Sequence, residues 1–381
     1  MFQKISKIIF VAIFLLLLFV PMLFTNLENR KISESENRHL AAQAKLWNEN
    51  KEWNKNFTAD FENWVNDNIG FRDSLVVQNA KIQYHGFGVL ANNSNMYLGP
   101  KGELNYATPE ILKDYQRKNL YSETKLQEIA DSIQILADYI RSKGAAFYYY
   151  QAWDKHSIYP EQFPISVLQK TGISKTDAFN DFIVKNTNVT LISPKAELLA
   201  EKAKYPTYSV WGDPTHWSPR GGYIAYKVLM AQLNKDFNNR FHVLQEEDYN
   251  ITVTDQGKTL FGGIHEEDWL EEFAIKNPKA KLTNEKLTFL PDPSHSFHTN
   301  ATVNNKTRLL ILGDSYFNNY LIDDLAESFY EVLIIWGDHI KDIETIMETY
   351  KPNIVIVENA ERVDRTYALI NAAKQLSENK Q

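Results

Sequence analysis

The stretch Arg308-Leu309-Leu310-Ile311-Leu312-Gly313-Asp314-Ser315-Tyr316 decides how this chain reads. A short apolar run that stops abruptly is the signature of a buried strand, and here it stops at Gly-Asp-Ser. A serine hydroxyl is thereby presented at the carboxyl edge of a sheet, where open α/β folds place their chemistry. Serine alone is a poor nucleophile; it needs a base, itself held by a third group. Asp213-Pro214-Thr215-His216-Trp217, about a hundred residues upstream, supplies a candidate for each. The pattern therefore points to serine-dependent acyl transfer.

Working outward, two more strand-like runs follow. Val332–Trp336 ends at Gly337, and Ile354–Val357 ends at Glu358-Asn359-Ala360-Glu361-Arg362. Three successive strands so deliver Ser315, Gly337 and Asn359 to one edge. A glycine amide and an asparagine side-chain amide suit a developing oxyanion, with the Ser315 backbone amide as a third donor. Asn359 also reads as a turn former. Upstream, Ser122 opens an amphipathic helix with apolar residues at 126, 129, 133, 136, 137 and 140, closed by Lys143-Gly144. Ala145–Gln151 is an apolar, aromatic strand, Lys175–Asn186 a helix, Val189–Ile192 a strand and Tyr223–Leu233 a helix. Such alternation indicates a parallel sheet with crossover helices. The segment 238–305 lacks a strong period and reads as an irregular, partly β insertion. Nearer the amino terminus, 57–65 is helical, 67–73 a turn, 75–84 a second helix, and Met96–Leu104 a hairpin.

The neighbours of the serine and histidine carry open readings. Asp213 either holds His216 in the tautomer that leaves one nitrogen free, or caps the helix after Pro214. Trp217 is either core or a wall of the site. Arg362 binds an anionic group of the substrate or pairs with Glu361 or Glu358. Lys155, just past a strand, faces the same edge or solvent. Asp314 points away from its neighbour and suits a backbone-binding role. His156, His265 and His339 have no metal-ligand spacing, so neither a metal nor another cofactor is expected.

Composition bounds the rest. At 381 residues the chain exceeds one typical domain, and 44% hydrophobic with 23% charged residues is a globular balance. The net charge of -7 argues against a nucleic-acid partner, which needs a basic face. With no cysteine, disulfides and thiol nucleophiles are excluded. The aromatic share of 13% suits sugar stacking, but buried core aromatics explain it more simply. Lys4 and Lys7 precede an uncharged run, Ile8–Phe24, with no small-residue cleavage signal after it. This reads as an uncleaved signal anchor with the body of the protein outside, the alternative being a cleaved signal peptide. The expected organisation is an anchor over 1–27, a membrane-proximal stalk and helical extension over 28–110, and a catalytic domain over 111–381.

On these motifs the chain resembles the SGNH hydrolases, in which Ser, Gly, Asn and His occupy successive blocks: Gly313-Asp314-Ser315, Gly337, Asn359 and Asp213-x-x-His216 here. The Asp-x-x-His block precedes the serine block, as in the circularly permuted alginate acetylation proteins and bacterial DHHW proteins. Asp-Pro-Thr-His-Trp stands in place of Asp-His-His-Trp. Supporting matches are Glu36-Asn37-Arg38, 66–72, Ile158-Tyr159-Pro160-Glu161 and Glu361-Arg362. The resemblance implies a circularly permuted, SGNH hydrolase-like (flavodoxin-like) α/β fold. It also implies an extracytoplasmic O-acyltransferase acting on a cell-envelope polysaccharide, supplied by a multi-pass membrane acyltransferase partner. A hydrolase with the same residues, and a non-catalytic polysaccharide-binding protein, remain as alternatives.

Overall fold

The computed structural model describes residues 2–28, 31–33, 38–91, 95–164, 167–283, 289 and 295–379. Glu36 and Asn37 of the Glu-Asn-Arg match lie outside the described residues. The chain forms two compact units, 1–94 with 259–265, and 95–258 with 266–381.

The larger unit is built on a seven-stranded sheet. Its strands are β1 (Ala146–Ala152), β2 (Thr190–Ile192), β3 (Lys281–Thr283), β4 (His295–Thr299), β5 (Arg308–Gly313), β6 (Glu331–Trp336) and β7 (Ile354–Ala360). The spatial order is β2-β1-β7-β5-β6-β4-β3. The first five in that order run parallel, while β4 and β3 continue the sheet antiparallel. Counted from β5, the parallel strands fall in the order 2-1-3-4-5, which is the flavodoxin-like arrangement with its first three strands moved to the end of the chain. The topological switch point lies between β5 and β7, where such sheets open a crevice.

Both faces are covered. The flanking helices are α1 (Glu123–Ser142), α2 (Lys175–Asn186), α3 (Pro219–Asp236), α4 (Ser315–Tyr320), α5 (Ile343–Thr349) and α6 (Thr366–Glu378). Leu309 and Ile311 of β5, with Ile354 and Ile356 of β7, pack beneath Tyr226, Leu229 and Leu233 of α3. The alternate residues Leu310, Leu312, Val355 and Val357 pack beneath α1, α5 and α6. Because strand side chains alternate faces, a run apolar at every position is what a two-sided sheet demands. Leu309 to Leu312 are all 0% exposed, each contributing roughly 1.5–3 kcal/mol by burial.

The 238–305 segment is more regular than its sequence suggests. Tyr249–Asp255 and Trp269–Ile275 pair as an antiparallel hairpin, and β3 and β4 extend the main sheet. Their pairing partners are distant in sequence, so local periodicity was a poor guide.

In the smaller unit the helix Phe2–Leu23 contains a 19-residue segment, Ile5–Leu23, long and apolar enough to cross a membrane. Helices Phe57–Asn68 and Arg72–Phe87 follow. Asn26 N–H donates to Asn68 O at 2.7 Å and Gly70 N–H to Pro21 O at 3.0 Å, fastening the first of these helices to the end of the apolar one. Gly70 is required there: a Cβ would lie 2.5 Å from both Pro21 O and Phe24 Cβ.

Candidate active site

Three segments converge at the carboxyl edge of the sheet. After β5 the chain turns into α4, whose first residue is Ser315. Asp314 caps this helix by accepting the Tyr316 N–H at 3.0 Å, so it serves the backbone. The Ser315 amide stands in the first turn, where a helix has no internal partner to offer.

Asp213 folds its own turn. Its Oδ1 accepts from Thr215 N at 2.9 Å, Thr215 Oγ1 at 2.7 Å and His216 N at 3.1 Å. The other oxygen, Oδ2, lies 2.8 Å from His216 Nδ1, and His216 Nε2 lies 2.7 Å from Ser315 Oγ. The helix that follows is capped by Ser218, with Pro219 at its first position, which disposes of Asp213 as the cap. Burial alone would raise the Asp213 carboxyl; hydrogen bonds from His216 and Thr215 outweigh it and hold Asp213 well below the ordinary carboxylate range. The structure thus brings Ser315, His216 and Asp213 into one hydrogen-bonded line.

Arg362 joins them. Its Nη2 is 3.2 Å from His216 Nε2, and Nη1 donates to Tyr316 Oη at 3.1 Å and to Asp154 Oδ1. Tyr316 Oη also stands 2.7 Å from Asp154 Oδ1 and 2.8 Å from the Thr215 carbonyl oxygen, with one proton to share between them. Arg362 therefore pairs with Asp154, not with Glu361 or Glu358. Burial works against its charge, but Asp154 outweighs that and keeps the guanidinium firmly protonated. A fixed cation so touches the atoms that would react.

Other expectations need correcting. Asn359 commits both side-chain N–H groups, to Ala360 O at 3.0 Å and Val363 O at 3.2 Å. It lies on the sheet face of Tyr149 and Gln151, in a cavity of about 30 Å³ that Ser315 does not line, so its amide is not an oxyanion donor here. Strand alternation decides this: Glu358, its neighbour, takes the serine side and accepts Asp314 N–H at 2.7 Å. Lys155 is not solvated: it lines a small pocket with Asp154, Thr215 and Arg362, its ammonium turned to backbone carbonyls. It is 2% exposed, donates to Leu104 O at 2.8 Å, and is pushed down to about 8 by burial. Trp217 is core, 0% exposed and edge-on to Tyr316 at 4.7 Å.

Gly337 follows Trp336, which pairs with Gly313 across β5 and β6, so it reaches the same edge as the serine. Its side-chain direction is filled by Arg365: a Cβ would lie 2.6 Å from Nε. Arg365 in turn donates to Glu358 O at 2.7 Å and reaches Asp314 Oδ2 at 3.3 Å, tying together the ends of β7 and β5.

The roles of Asp154, Tyr316 and Arg365 are not carried by any of the sequence motifs. Asp154 carried one signal, its place directly after a strand that ends on the same edge. His156, also buried, lies 3.2 Å from Asp114 Oδ2 and 3.7 Å from Glu361 Oε1. These three could reach a common metal ion. The carboxylates are already engaged, Glu361 by Ser157 Oγ at 2.7 Å and Asp154 N at 3.0 Å, Asp114 by Lys175 N at 3.2 Å. Burial opposes charge on His156, but the two carboxylates outweigh it and raise the imidazole to about 9. The group is accounted for as an ion cluster.

The permuted strand order, with these groups at its carboxyl edge, is that of a circularly permuted SGNH hydrolase-like α/β fold. Bacillus cereus PatB1 superposes with a TM-score of 0.53 at 15% identity, over 72% of this chain and 99% of that one. A DHHW family protein from Eubacterium siraeum gives 0.49 at 15% identity, over 76% and 96%. The O-acetyltransferase domain of Pseudomonas putida AlgJ gives 0.45 at 15% identity, over 73% and 99%. At such identity the likeness is one of fold. No protein-family model and no curated protein matches the sequence.

Proposed function

We propose that the chain is a membrane-anchored, extracytoplasmic O-acetyltransferase that acylates hydroxyl groups of a cell-envelope polysaccharide through an acyl-serine intermediate. The reading is carried by the line Asp213 Oδ2 to His216 Nδ1, 2.8 Å, and His216 Nε2 to Ser315 Oγ, 2.7 Å. The choice of acetyl and of a glycan acceptor is supported by the resemblance of the motifs. The N-terminal apolar helix supports the anchor, and a multi-pass membrane acyltransferase would deliver acyl groups from the cytoplasmic side.

In the reaction His216 Nε2 takes the Ser315 proton as Oγ attacks the acyl carbonyl. Negative charge developing on the carbonyl oxygen is met by the Arg362 guanidinium and the Ser315 amide, with the Gly337 amide a further donor by position. Collapse of the tetrahedral intermediate expels the donor's leaving group, which receives the proton from His216. A sugar hydroxyl then gives its proton to Nε2 and attacks the acyl-serine. The second collapse releases the sugar ester and returns the proton to Ser315.

The test is turnover of a chromogenic acetyl ester by the full-length protein in detergent, with and without an oligosaccharide acceptor, beside Ser315→Ala. Serine-dependent ester loss that acetylates the acceptor is expected. Loss to water alone, acceptor or not, would make the protein an esterase, and no serine-dependent turnover would overturn the catalytic reading.

A further inference from the structure

A cleft of about 510 Å³ opens beside the candidate site, between α3, the Tyr249–Ile275 hairpin, and the end of α4. Its size is that of a small-molecule site, about 300–1,000 Å³. Asn319 and Tyr320 of α4 form part of its floor. Tyr320 stands five residues after Ser315, about 7–8 Å along the helix axis, and its ring is 5.9 Å from that of His216. An occupant of the cleft is therefore within the length of a sugar ring or two of the serine.

The lining has a marked chemistry. Tyr223 and Phe273 stack on each other at 5.2 Å on one wall, with the Arg220 guanidinium 4.9 Å from the Phe273 ring, and give that wall an apolar, packed surface. Glu272, Asp323, Asp324 and Glu327 also line it, while no lysine or arginine does among the described residues. Asp324 is only 9% exposed, and burial, with Asp323 and Glu327 beside it, pushes it up to about 7. Glu327 is engaged by the Lys279 and Ala280 amides at 2.8 and 2.9 Å. Glu272 is exposed on the hairpin. A second observation points to a ligand. His298, 7% exposed, lies 3.3 Å by Nε2 from Asp323 Oδ1, and its buried Nδ1 has no hydrogen-bond partner. A buried polar atom left unpaired at a cleft wall is a group that a ligand hydroxyl or a bridging water would satisfy.

We propose that this cleft is the acceptor subsite, and that it takes an amine-bearing sugar chain and rejects polyuronates. The proposal rests on the acyl-transfer reading for the role of the subsite, but not for its binding chemistry. Hydroxyls and an ammonium group match the carboxylate acceptors that line the cleft. A polyuronate would set its own carboxylates against those of Glu272, Asp323 and Glu327, with no lysine or arginine among the described lining residues to separate them.

Binding is measured calorimetrically with full-length Ser315→Ala in detergent, so that no turnover intervenes. The probes are a β-1,4-glucosamine tetramer, cellotetraose and tetragalacturonate, at ~0.05 and ~0.5 M salt. The glucosamine tetramer is expected to bind about tenfold more tightly than cellotetraose at low salt, the worth of one well-placed ion pair, with the margin shrinking at high salt. Tetragalacturonate should show no binding. Glu272→Gln with Asp323→Asn should remove the preference for the amine; if the pair unfolds the protein, exposed Glu272→Gln alone should reduce it. Equal affinity for amine and neutral probes, binding of the galacturonate, or a preference that survives the substitutions would overturn the proposal. Amine-selective binding without serine-dependent transfer in the wild type would sink the catalytic reading and leave the cleft assignment standing. Transfer to a neutral or acidic acceptor instead would do the reverse.

Discussion

Asp213→Asn changes one atom of the hydrogen-bonded line and almost nothing else. The Asp213 Oδ1 accepts from Thr215 N, Thr215 Oγ1 and His216 N. Those three donors fix which way an asparagine can sit: its oxygen must take their side, and its NH2 must face His216 Nδ1, now occupied at 2.8 Å by Oδ2. An NH2 there donates to Nδ1 and drives the imidazole proton to Nε2. The nitrogen 2.7 Å from Ser315 Oγ then has no lone pair to receive the serine proton. The loss expected in kcat/KM is about 10³–10⁴-fold, or ~4–5.5 kcal/mol of transition-state stabilisation. It should appear in kcat with little change in KM for a chromogenic acetyl ester. Because the turn is retained, the variant should stay folded at neutral pH, melting ~2–5 °C below wild type for the weakened hydrogen bonds to the lost carboxylate. Stability also carries a sign. The folded Asp213 carboxyl is depressed, so its contribution is present above the unfolded value, about 3.9, and fades as pH falls below it. Any gap in stability between wild type and variant should therefore close in acid. A folded variant with kcat/KM within tenfold of wild type would refute the reasoning, since His216 would then not depend on Asp213 for its tautomer.

Arg362→Lys keeps a positive charge but cannot reach Asp154, Tyr316 and His216 together, so kcat should fall by about 10²-fold in the same ester assay, more than KM changes. Gly337→Ala drives a methyl to within 2.6 Å of Arg365 Nε and should lower stability by ~1–3 kcal/mol in denaturant titration; no change would mean that Arg365 moves aside freely. Glu358 is 0% exposed, and burial, with Asp314 beside it, raises its carboxyl well above the ordinary range. A raised carboxyl opposes folding at pH above its unfolded value, about 4.3, and is neutral in effect below it. Glu358→Gln keeps an oxygen for Asp314 N–H and should raise the melting temperature at pH 8, with the gain vanishing near pH 4; a constant gain at both would point to packing instead of charge.

Much of the catalytic edge was legible because its signals are local. The Leu309–Leu312 run followed by Gly-Asp-Ser marks a strand end in any context, and Asp-x-x-His is short enough to fold back on itself through its own turn. The order of the blocks, histidine before serine, already implied the permuted sheet. Face assignment was not legible to the same degree. Asn359 and Glu358 are adjacent, and only the register of β7 against β5 and β1 sends the glutamate toward Asp314 and the asparagine to the opposite layer. A strand's period of two makes that choice absolute once the register is set, and the register depends on partners far away in the chain.

The partners of Arg362 show the same division. The sequence by itself determined that a guanidinium would follow β7, that a serine would cap β5, and that His216 would carry its own carboxylate three residues away. Only the tertiary structure decided that Asp154, at the end of β1, would hold that guanidinium against Tyr316 and His216, and that β3 and β4 would widen the sheet. Contacts within a turn are fixed by covalent geometry and a few dihedral angles, so they can be read residue by residue. Contacts between strand ends more than two hundred residues apart, as Asp154 and Arg362 are, exist only after the whole sheet has closed around them.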